Sequence, residues 1–254
     1  MRFGCHLPVY GPAATRETLV GFARRAEAVG FDSLWASDHV VLPWRIASRY
    51  PYNATGDFPL PPATDFLEPL TALALVAGVT ERVALGTTVL VLPHRHPLLA
   101  AKMLATLDHL APGRVILGAG VGWMREEIEA LGAPYDRRGA WSDEAIRVMR
   151  ALRRVAELGD GWHAAFPTAA ALKEGLEHLR TACAKAGRDP KTLTISARLG
   201  LPGKKPSAEI LAEVKALRDL GVEHIILEPA ARDLASMTAA IERFASDVRA
   251  RLEL

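Results

Sequence analysis

A chain of 254 residues, half of them hydrophobic and 24% charged, can bury one sizeable core and has the usual size of a single α/β barrel domain. Its formal net charge is +2 with acids and bases interspersed, which argues against a nucleic-acid surface and against a polybasic membrane anchor. No apolar run approaches the roughly 18 residues that span a bilayer, and the opening MRFGCHLPVYG, with one basic residue leading into a strand-like segment, does not read as a signal peptide.

Short apolar or β-branched runs alternate with helices of 3.6-residue period. The first strand is expected over 2–8, followed past Gly11 and Pro12 by a helix with Thr15 as N-cap. Leu19, Phe22, Ala23, Ala26 and Val29 share one face of that helix, and Gly30 stands where a left-handed C-terminal residue belongs. A second strand, 31–37, ends at Asp38-His39. The connection 40–66, rich in proline and aromatics, is long for a compact barrel, and such loops are usually functional or mobile. A helix over 69–77 closed by Gly78, a strand over 83–92, and a helix over 97–110 with Leu99, Met103, Leu107 and Leu110 as its apolar positions come next. The strand 114–118 then runs into Gly118-Ala119-Gly120-Val121-Gly122. From Ser142 a helical pattern continues through Ile146, Met149, Leu152 and Val155 until Gly159. A strand over 160–165 follows, and then a helix over 168–186 with Leu172, Leu176, Leu179 and Cys183 on one face. The chain closes with a strand over 193–199, a helix over 207–220, a strand over 224–227 and a last helix carrying Met237, Ile241, Phe244 and Val248. This alternation, with near-continuously apolar strands, implies a parallel sheet covered by helices. Without linker, repeat or low-complexity segment, residues 1–254 read as one domain.

About seven strands are found where a closed (β/α)8 barrel needs eight. The fifth is missing: between the glycine-rich strand and Asp160 there is only helix. Either the barrel is shortened, or a segment near Leu152 is absent from the sequence, since an open seam leaves two unpaired strand edges. Cys5 and Cys183 lack partners at metal-ligand or redox spacing, so no metal site is expected and a reduced, cytoplasmic setting is the default. Cys5 reads as a small core filler.

Four motifs then occur in a fixed order. They are Ser37-Asp38-His39, Leu85-Gly86-Thr87-Thr88-Val89-Leu90, Leu107-Asp108-His109-Leu110-Ala111-Pro112-Gly113-Arg114, and Gly118 to Gly122 with Trp123. Together they resemble the luciferase-like monooxygenases, most closely the branch using the deazaflavin coenzyme F-420; Gly159-Asp160-Gly161-Trp162 is similar to that family too. The resemblance covers nearly the whole chain. It implies a TIM-type (β/α)8 barrel, with the fifth strand and its phosphate-holding glycines not found. The activity it implies is an oxidoreductase moving hydride between F-420 and a small organic substrate, in a protein that is commonly a homodimer packing helices of its first half. An FMN-dependent monooxygenase and a non-catalytic, coenzyme-binding shortened barrel are the alternatives. A metal hydrolase is disfavoured, because His6, His39, His94 and His96 do not form a strand-end His/Asp set.

His39, at a strand C-terminal end, is the candidate catalytic acid or donor near the coenzyme's reacting edge or a substrate carbonyl; a structural histidine bonded to a neighbouring loop is the alternative. Asp38 either orients His39 or contacts the coenzyme, or else caps the following loop. The resemblance implies a bulge over Gly86 to Val89, with a cis peptide close to Thr88-Val89, so that Thr87, Thr88 and Val89 support the ring's convex face. It also implies that Gly120, Val121 and Gly122 let the strand end approach the ring. A plain buried strand and a tight turn are the ordinary readings of these segments. Trp44 is expected as an aromatic cover over the substrate, with Tyr50, Tyr52 and Phe58 as further loop aromatics. Trp123, the second expected substrate contact, stands where the sugar-phosphate dehydrogenase branch has its catalytic Glu, which disfavours that chemistry. Glu126 and Glu127, a helical turn further on, are not taken to replace that acid. His94, Arg95 and His96 read as a solvated loop rather than as facing the coenzyme's anionic tail.

Overall fold

A computed structural model of the chain describes residues 1–153, 160–185, 187–203 and 205–252. Its first half contains β1 (Arg2–His6), α1 (Arg16–Ala28), β2 (Ser33–Ala36), α2 (Pro69–Ala77), β3 (Ala84–Thr87), β4 (Leu90–Val91), α3 (Pro97–Leu110), β5 (Val115–Ile116), β6 (Ala119–Gly120), α4 (Arg125–Ala130) and α5 (Arg138–Arg153). The second half contains β7 (Gly161–Ala165), α6 (Ala169–Lys185), β8 (Thr194–Leu201), α7 (Ser207–Asp219), β9 (His224–Pro229) and α8 (Leu234–Asp247). Thr15 caps α1 as expected, its Oγ1 accepting from the Thr18 N–H at 3.2 Å, and Gly30 has φ +83°. Pro69 and Pro97 open α2 and α3, where a missing N–H is harmless.

Two compact units are formed, one from Leu7–Arg24 and Ser33–Ala156, the other from Met1–His6, Arg25–Asp32 and Glu157–Leu254. In the first, β2, β3 and β5 are parallel, with Trp35 opposite Gly86 and Gly86 opposite Ile116. β4 and β6 form a separate parallel pair, Leu90 opposite Ala119 and Val91 opposite Gly120. The runs expected as single strands over 83–92 and 114–118 are therefore each interrupted, the first at a cis Thr88-Val89 peptide. Thr87 holds the two breaks together: its Oγ1 donates to the Gly118 carbonyl at 2.8 Å and accepts the Gly118 N–H at 3.1 Å. A Cβ on Gly118 would lie 2.0 Å from the Thr87 carbonyl oxygen. Gly118→Ala is thus expected to lower stability by about 2–3 kcal/mol in urea unfolding; an unchanged midpoint would mean that the strand ends are not packed this closely.

α3 corrects one expectation. Leu99 and Leu110 are 58% and 67% exposed, while Ala100, Ala101, Leu104 and Leu107 are buried. The small alanines bring the helix close to Leu90, Leu92 and Ala145, so the buried stripe is shifted from the one expected.

In the second unit the order is β1-β9-β8-β7, all parallel. Phe244 of α8 packs edge-on against Phe3, with ring centroids 5.3 Å apart. One row across this sheet is polar: His163 lies opposite Ser196, and Ser196 opposite His224. His163 Nδ1 is 3.0 Å from Ser196 Oγ. Burial above all pushes the pKa of His163 down to about 3 and of His224 to about 4, helped by Arg198 and Arg2 respectively. Cys5 is fully buried, and burial raises its thiol well above the ordinary range.

Among the described residues no strand lies between α5 and β7, so counting each interrupted strand once gives seven strand positions, as expected. The end of the expected helix near Val155 and the possible start of a fifth strand fall on residues 154–159, outside the described residues. Among the described residues no helix is long and apolar enough to cross a membrane.

Candidate active site

The expected site residues of the glycine-rich and Ser-Asp-His motifs all fall in the first unit. β2 ends at Ala36, and the Thr88 N–H donates to the Ala36 carbonyl at 2.8 Å, bringing the break in β3–β4 beside Asp38 and His39. Leu90 N–H donates to the Gly118 carbonyl at 2.7 Å and so draws in the glycine-rich end. The ends of three strands thereby meet, as active-site residues of α/β barrels do.

His39 Nδ1 lies 2.6 Å from Glu127 Oε2, and the ring is 13% exposed. Glu127 is fully buried, and its Oε1 accepts the backbone N–H groups of Val40 at 2.6 Å and Val41 at 3.0 Å. Burial pushes this carboxyl up, but the hydrogen bond and charge of His39, the charge of His94 and the Val41 N–H together hold its pKa below the ordinary carboxylate value. An ionised carboxylate on Nδ1 fixes the Nδ1–H tautomer and leaves Nε2 as the nitrogen that can meet a ligand. Glu126 clamps the middle of the 40–66 connection. Its Oε1 accepts the Ala47 and Ser48 N–H groups at 2.6 and 3.0 Å, and its Oε2 accepts the Ser48 hydroxyl at 2.8 Å. Two consecutive acids in the first turn of α4 therefore anchor the loop and hold His39. Nothing in their spacing ties them to residues some eighty positions earlier; only their place just after a glycine-rich strand end was a signal.

Asp38 points into the protein. Its side chain is fully buried and receives Arg95 in a bidentate pair, Nη1–Oδ2 2.5 Å and Nη2–Oδ1 2.8 Å, while the Val91 N–H donates to Oδ2 at 2.9 Å. Arg95 also donates to Glu68 Oε1 at 2.8 Å. Both oxygens are thus engaged within the protein, where they fasten β4 and the turn before α3. The solvated-loop reading of 94–96 holds for exposed His96 but fails for the other two, since His94 is buried and Arg95 is half-buried in this ion pair.

Thr87 and Thr88 are buried, Val89 and Gly120 are half-buried, and Val121 is 45% exposed. Gly122 has φ +77°, and a Cβ there would meet Val91 and Ile128 at 2.8 Å. Aromatic rings surround His39, with centroids 5.1 Å away for Phe58, 5.3 Å for Phe66 and 6.2 Å for Trp123. Tyr50 joins them, 5.1 Å from Trp123. Trp123, Phe58 and Phe66 thus line the His39 ring, and Phe66 was not singled out in the sequence. Trp44 is 83% exposed and lines a groove of about 670 Å³ along the loop with Pro43, Arg49 and Phe58.

Residues 1–155 match the family model described as luciferase-like monooxygenase. The chain belongs to the luciferase-like monooxygenase family. An uncharacterized protein of Mycobacterium tuberculosis is 35% identical over 144 residues, 56% of this chain and 50% of the relative. A protein of Amycolatopsis mediterranei named F420-dependent glucose-6-phosphate dehydrogenase is 38% identical over 138 residues, 53% of this chain and 37% of that one. The matched stretch thus spans half or less of these curated relatives. Among solved structures, an F420-dependent secondary alcohol dehydrogenase in complex with an F420-acetone adduct aligns over 98% of both chains, with TM-score 0.77 and 16% identity. The FMN-bound oxygenating constituent of 3,6-diketocamphane monooxygenase from Pseudomonas putida covers 98% of this chain and 97% of its own, with TM-score 0.69 and 16% identity. These likenesses show the fold: the luciferase-like chain is an α/β protein of the TIM-type class to which those enzymes belong. In this family member, the motif after β2 carries the His39–Glu127 pair, and the break between β3 and β4 carries the cis Thr88-Val89 peptide.

Proposed function

We propose that the chain is an oxidoreductase that seats a flat deazaflavin or flavin ring at the ends of β2, β4 and β6, with F-420 as coenzyme and a small alcohol or carbonyl compound as substrate. One observation carries this reading: a histidine locked by a buried carboxylate stands beside an interrupted strand and a glycine end with open apolar surface. The fit is physical. Ala119 and Val121 are exposed and Gly120 is half-buried, so a planar ring can lie on backbone and methyl groups there. Val89, Gly120 and Val121 would hold its face, Thr87 and Thr88 would keep the strand break rigid, and Gly122 would turn the chain away.

The coenzyme, when bound, supplies the hydride chemistry. His39 is the residue that gives a proton to, or takes one from, the substrate oxygen through Nε2, and Glu127 steadies its charged form. Trp123, Phe58 and Phe66 exclude water around that proton, and Trp44 is retained as an outer cover from the loop. Sugar phosphates are disfavoured, because Trp123 occupies the position where that branch has its acid. We read 1–254 as one domain acting in the cytoplasm as a homodimer. The FMN reading is favoured by the likeness to the FMN-bound monooxygenase. The non-catalytic reading is favoured by the lack of a strand between α5 and β7 among the described residues.

Incubation with F-420 or FMN, desalting and measurement of retained absorbance separates the three. Retention of F-420 at about one per chain, with FMN washed away, is the expected outcome. FMN alone would replace the deazaflavin assignment, and retention of neither would sink the oxidoreductase reading.

A further inference from the structure

Two imidazoles face one carboxylate oxygen in the first unit. Glu127 Oε2 lies 2.6 Å from His39 Nδ1 and 3.7 Å from His94 Nε2. The other nitrogen of His94, Nδ1, is 3.8 Å from Asp38 Oδ2 and is a buried atom without a hydrogen-bond partner among the described residues. With its side chain 2% exposed, the His94 ring is closed off from solvent. It therefore sits between two carboxylates at separations too long for hydrogen bonds and short enough for charge to matter.

The charges around it are countable. Asp38 from the end of β2 and Glu68 at the head of α2 hold Arg95 before α3, while Glu127 on α4 faces His39 and His94. Arg95 is already engaged by Asp38 and Glu68, so Glu127 is left to the imidazoles. Three carboxylates against one guanidinium leave room for two more protons, and two imidazoles stand ready to carry them.

We propose that His94 is a positioning residue for His39: the two rings compete for Glu127, and the neutral state of His94 leaves that carboxylate to His39. A proton added to His94 from solvent makes both its nitrogens donors, Nε2–H toward Glu127 Oε2 and Nδ1–H toward Asp38 Oδ2. Glu127 is then drawn from the His39 ring, which loses the partner that fixes its tautomer. Only a proton moves; no bond between heavy atoms changes. Burial keeps the His94 pKa below the ordinary histidine value, outweighing the pull of Glu127 and Asp38, and the charges of His39 and Arg95 act in the same sense as burial. His94 is thus neutral near neutrality and takes its proton as the solution turns acid. The consequence for turnover rests on the oxidoreductase reading: rates fall on the acid side as His94 titrates. The competition itself does not rest on it.

The test is an NMR titration of the histidine rings in the full chain, from neutral pH down to the onset of acid unfolding. In wild type, the His39 resonances are expected to shift at the His94 midpoint. In His39→Asn, which keeps a neutral donor toward Glu127, the His94 midpoint is expected to rise by about one pH unit, because the ring that competes for Glu127 is gone. A His94 ring that titrates at the same pH in both proteins, or in neither, overturns the proposal. His94→Gln supplies an independent check, since its His39 resonances should no longer shift where His94 titrates in wild type; a shift that persists there also overturns it. These readings need no turnover, so loss of the coupling and failure to retain a coenzyme are distinguishable results. In a chain that does turn over, His94→Gln is expected to hold its activity to lower pH than wild type.

Discussion

Glu127→Gln is expected to cut turnover of the coenzyme-loaded protein by about 10–100-fold while leaving coenzyme retention nearly unchanged. Glutamine keeps the shape of the side chain, and its amide oxygen can still accept the Val40 and Val41 N–H groups that Glu127 Oε1 holds at 2.6 and 3.0 Å. The amide nitrogen then faces His39 Nδ1, where Glu127 Oε2 now lies at 2.6 Å. An amide N–H donates, so the ring must accept at Nδ1 and carry its proton on Nε2, the reverse of the tautomer that the carboxylate imposes. The charged ring also loses its counter-charge inside a closed site, where such a pair matters more than in water. Fold stability should fall by roughly 1–3 kcal/mol, the scale of one disturbed buried hydrogen bond. Steady-state rates beside thermal unfolding check both numbers. A variant that turns over like wild type would remove Glu127 from the site and return His39 to the structural reading.

The second large effect concerns stability and lies in the other unit. Moving from about pH 7 to about pH 5 is expected to withdraw about 4 kcal/mol of folding stability through His163 and His224 together. Their folded pKa values, about 3 and about 4, lie below the ordinary 6.5, mainly because burial disfavours the charged ring. Both are neutral in the folded chain across that range and become protonated on unfolding. Unfolding therefore takes up protons as soon as pH drops below 6.5, and stability is full above that value. It declines by about 1.4 kcal/mol per pH unit for each ring. The loss continues until the folded rings themselves titrate. A domain with roughly 5–15 kcal/mol in hand feels such a change strongly. Urea unfolding at the two pH values measures it, and a His163→Gln, His224→Gln double variant should flatten most of the dependence. An unchanged wild-type midpoint would show that these rings are hydrated or already charged in the folded chain.

Much of this fold was legible from local chemistry. Pro69 and Pro97 mark their helix starts, Gly30 a left-handed end and Thr15 a cap, and the structure places each there. The face of α3 was not legible, because Leu98, Leu99, Leu104, Leu107 and Leu110 offer overlapping stripes and only packing through Ala100 and Ala101 decides between them. The breaks in the strands at Val89 and Gly118 have no signature in periodicity; the first was expected only through family resemblance.

The site divides in the same way. His39 was singled out by its place at a strand end and, above all, by the family resemblance. Glu127 could not, because acids in the first turn of a helix ordinarily serve the helix dipole. Its bond to His39 spans 88 positions. Arg95 was misjudged for a related reason: a lone guanidinium reads as exposed, and only its pairing with Asp38 allows burial. His94 follows from that burial, since the turn that brings Arg95 onto Asp38 also carries its neighbour inward.

The claim on which the rest stands is that the ends of β2, β4 and β6 form a seat for a planar coenzyme beside His39. A crystal structure of the chain grown with F-420 tests it most directly. The ring should lie against Val89 and Gly120 with its reacting edge toward His39 Nε2. Ring density elsewhere on the chain, or a ring whose reacting edge points away from His39, would contradict it.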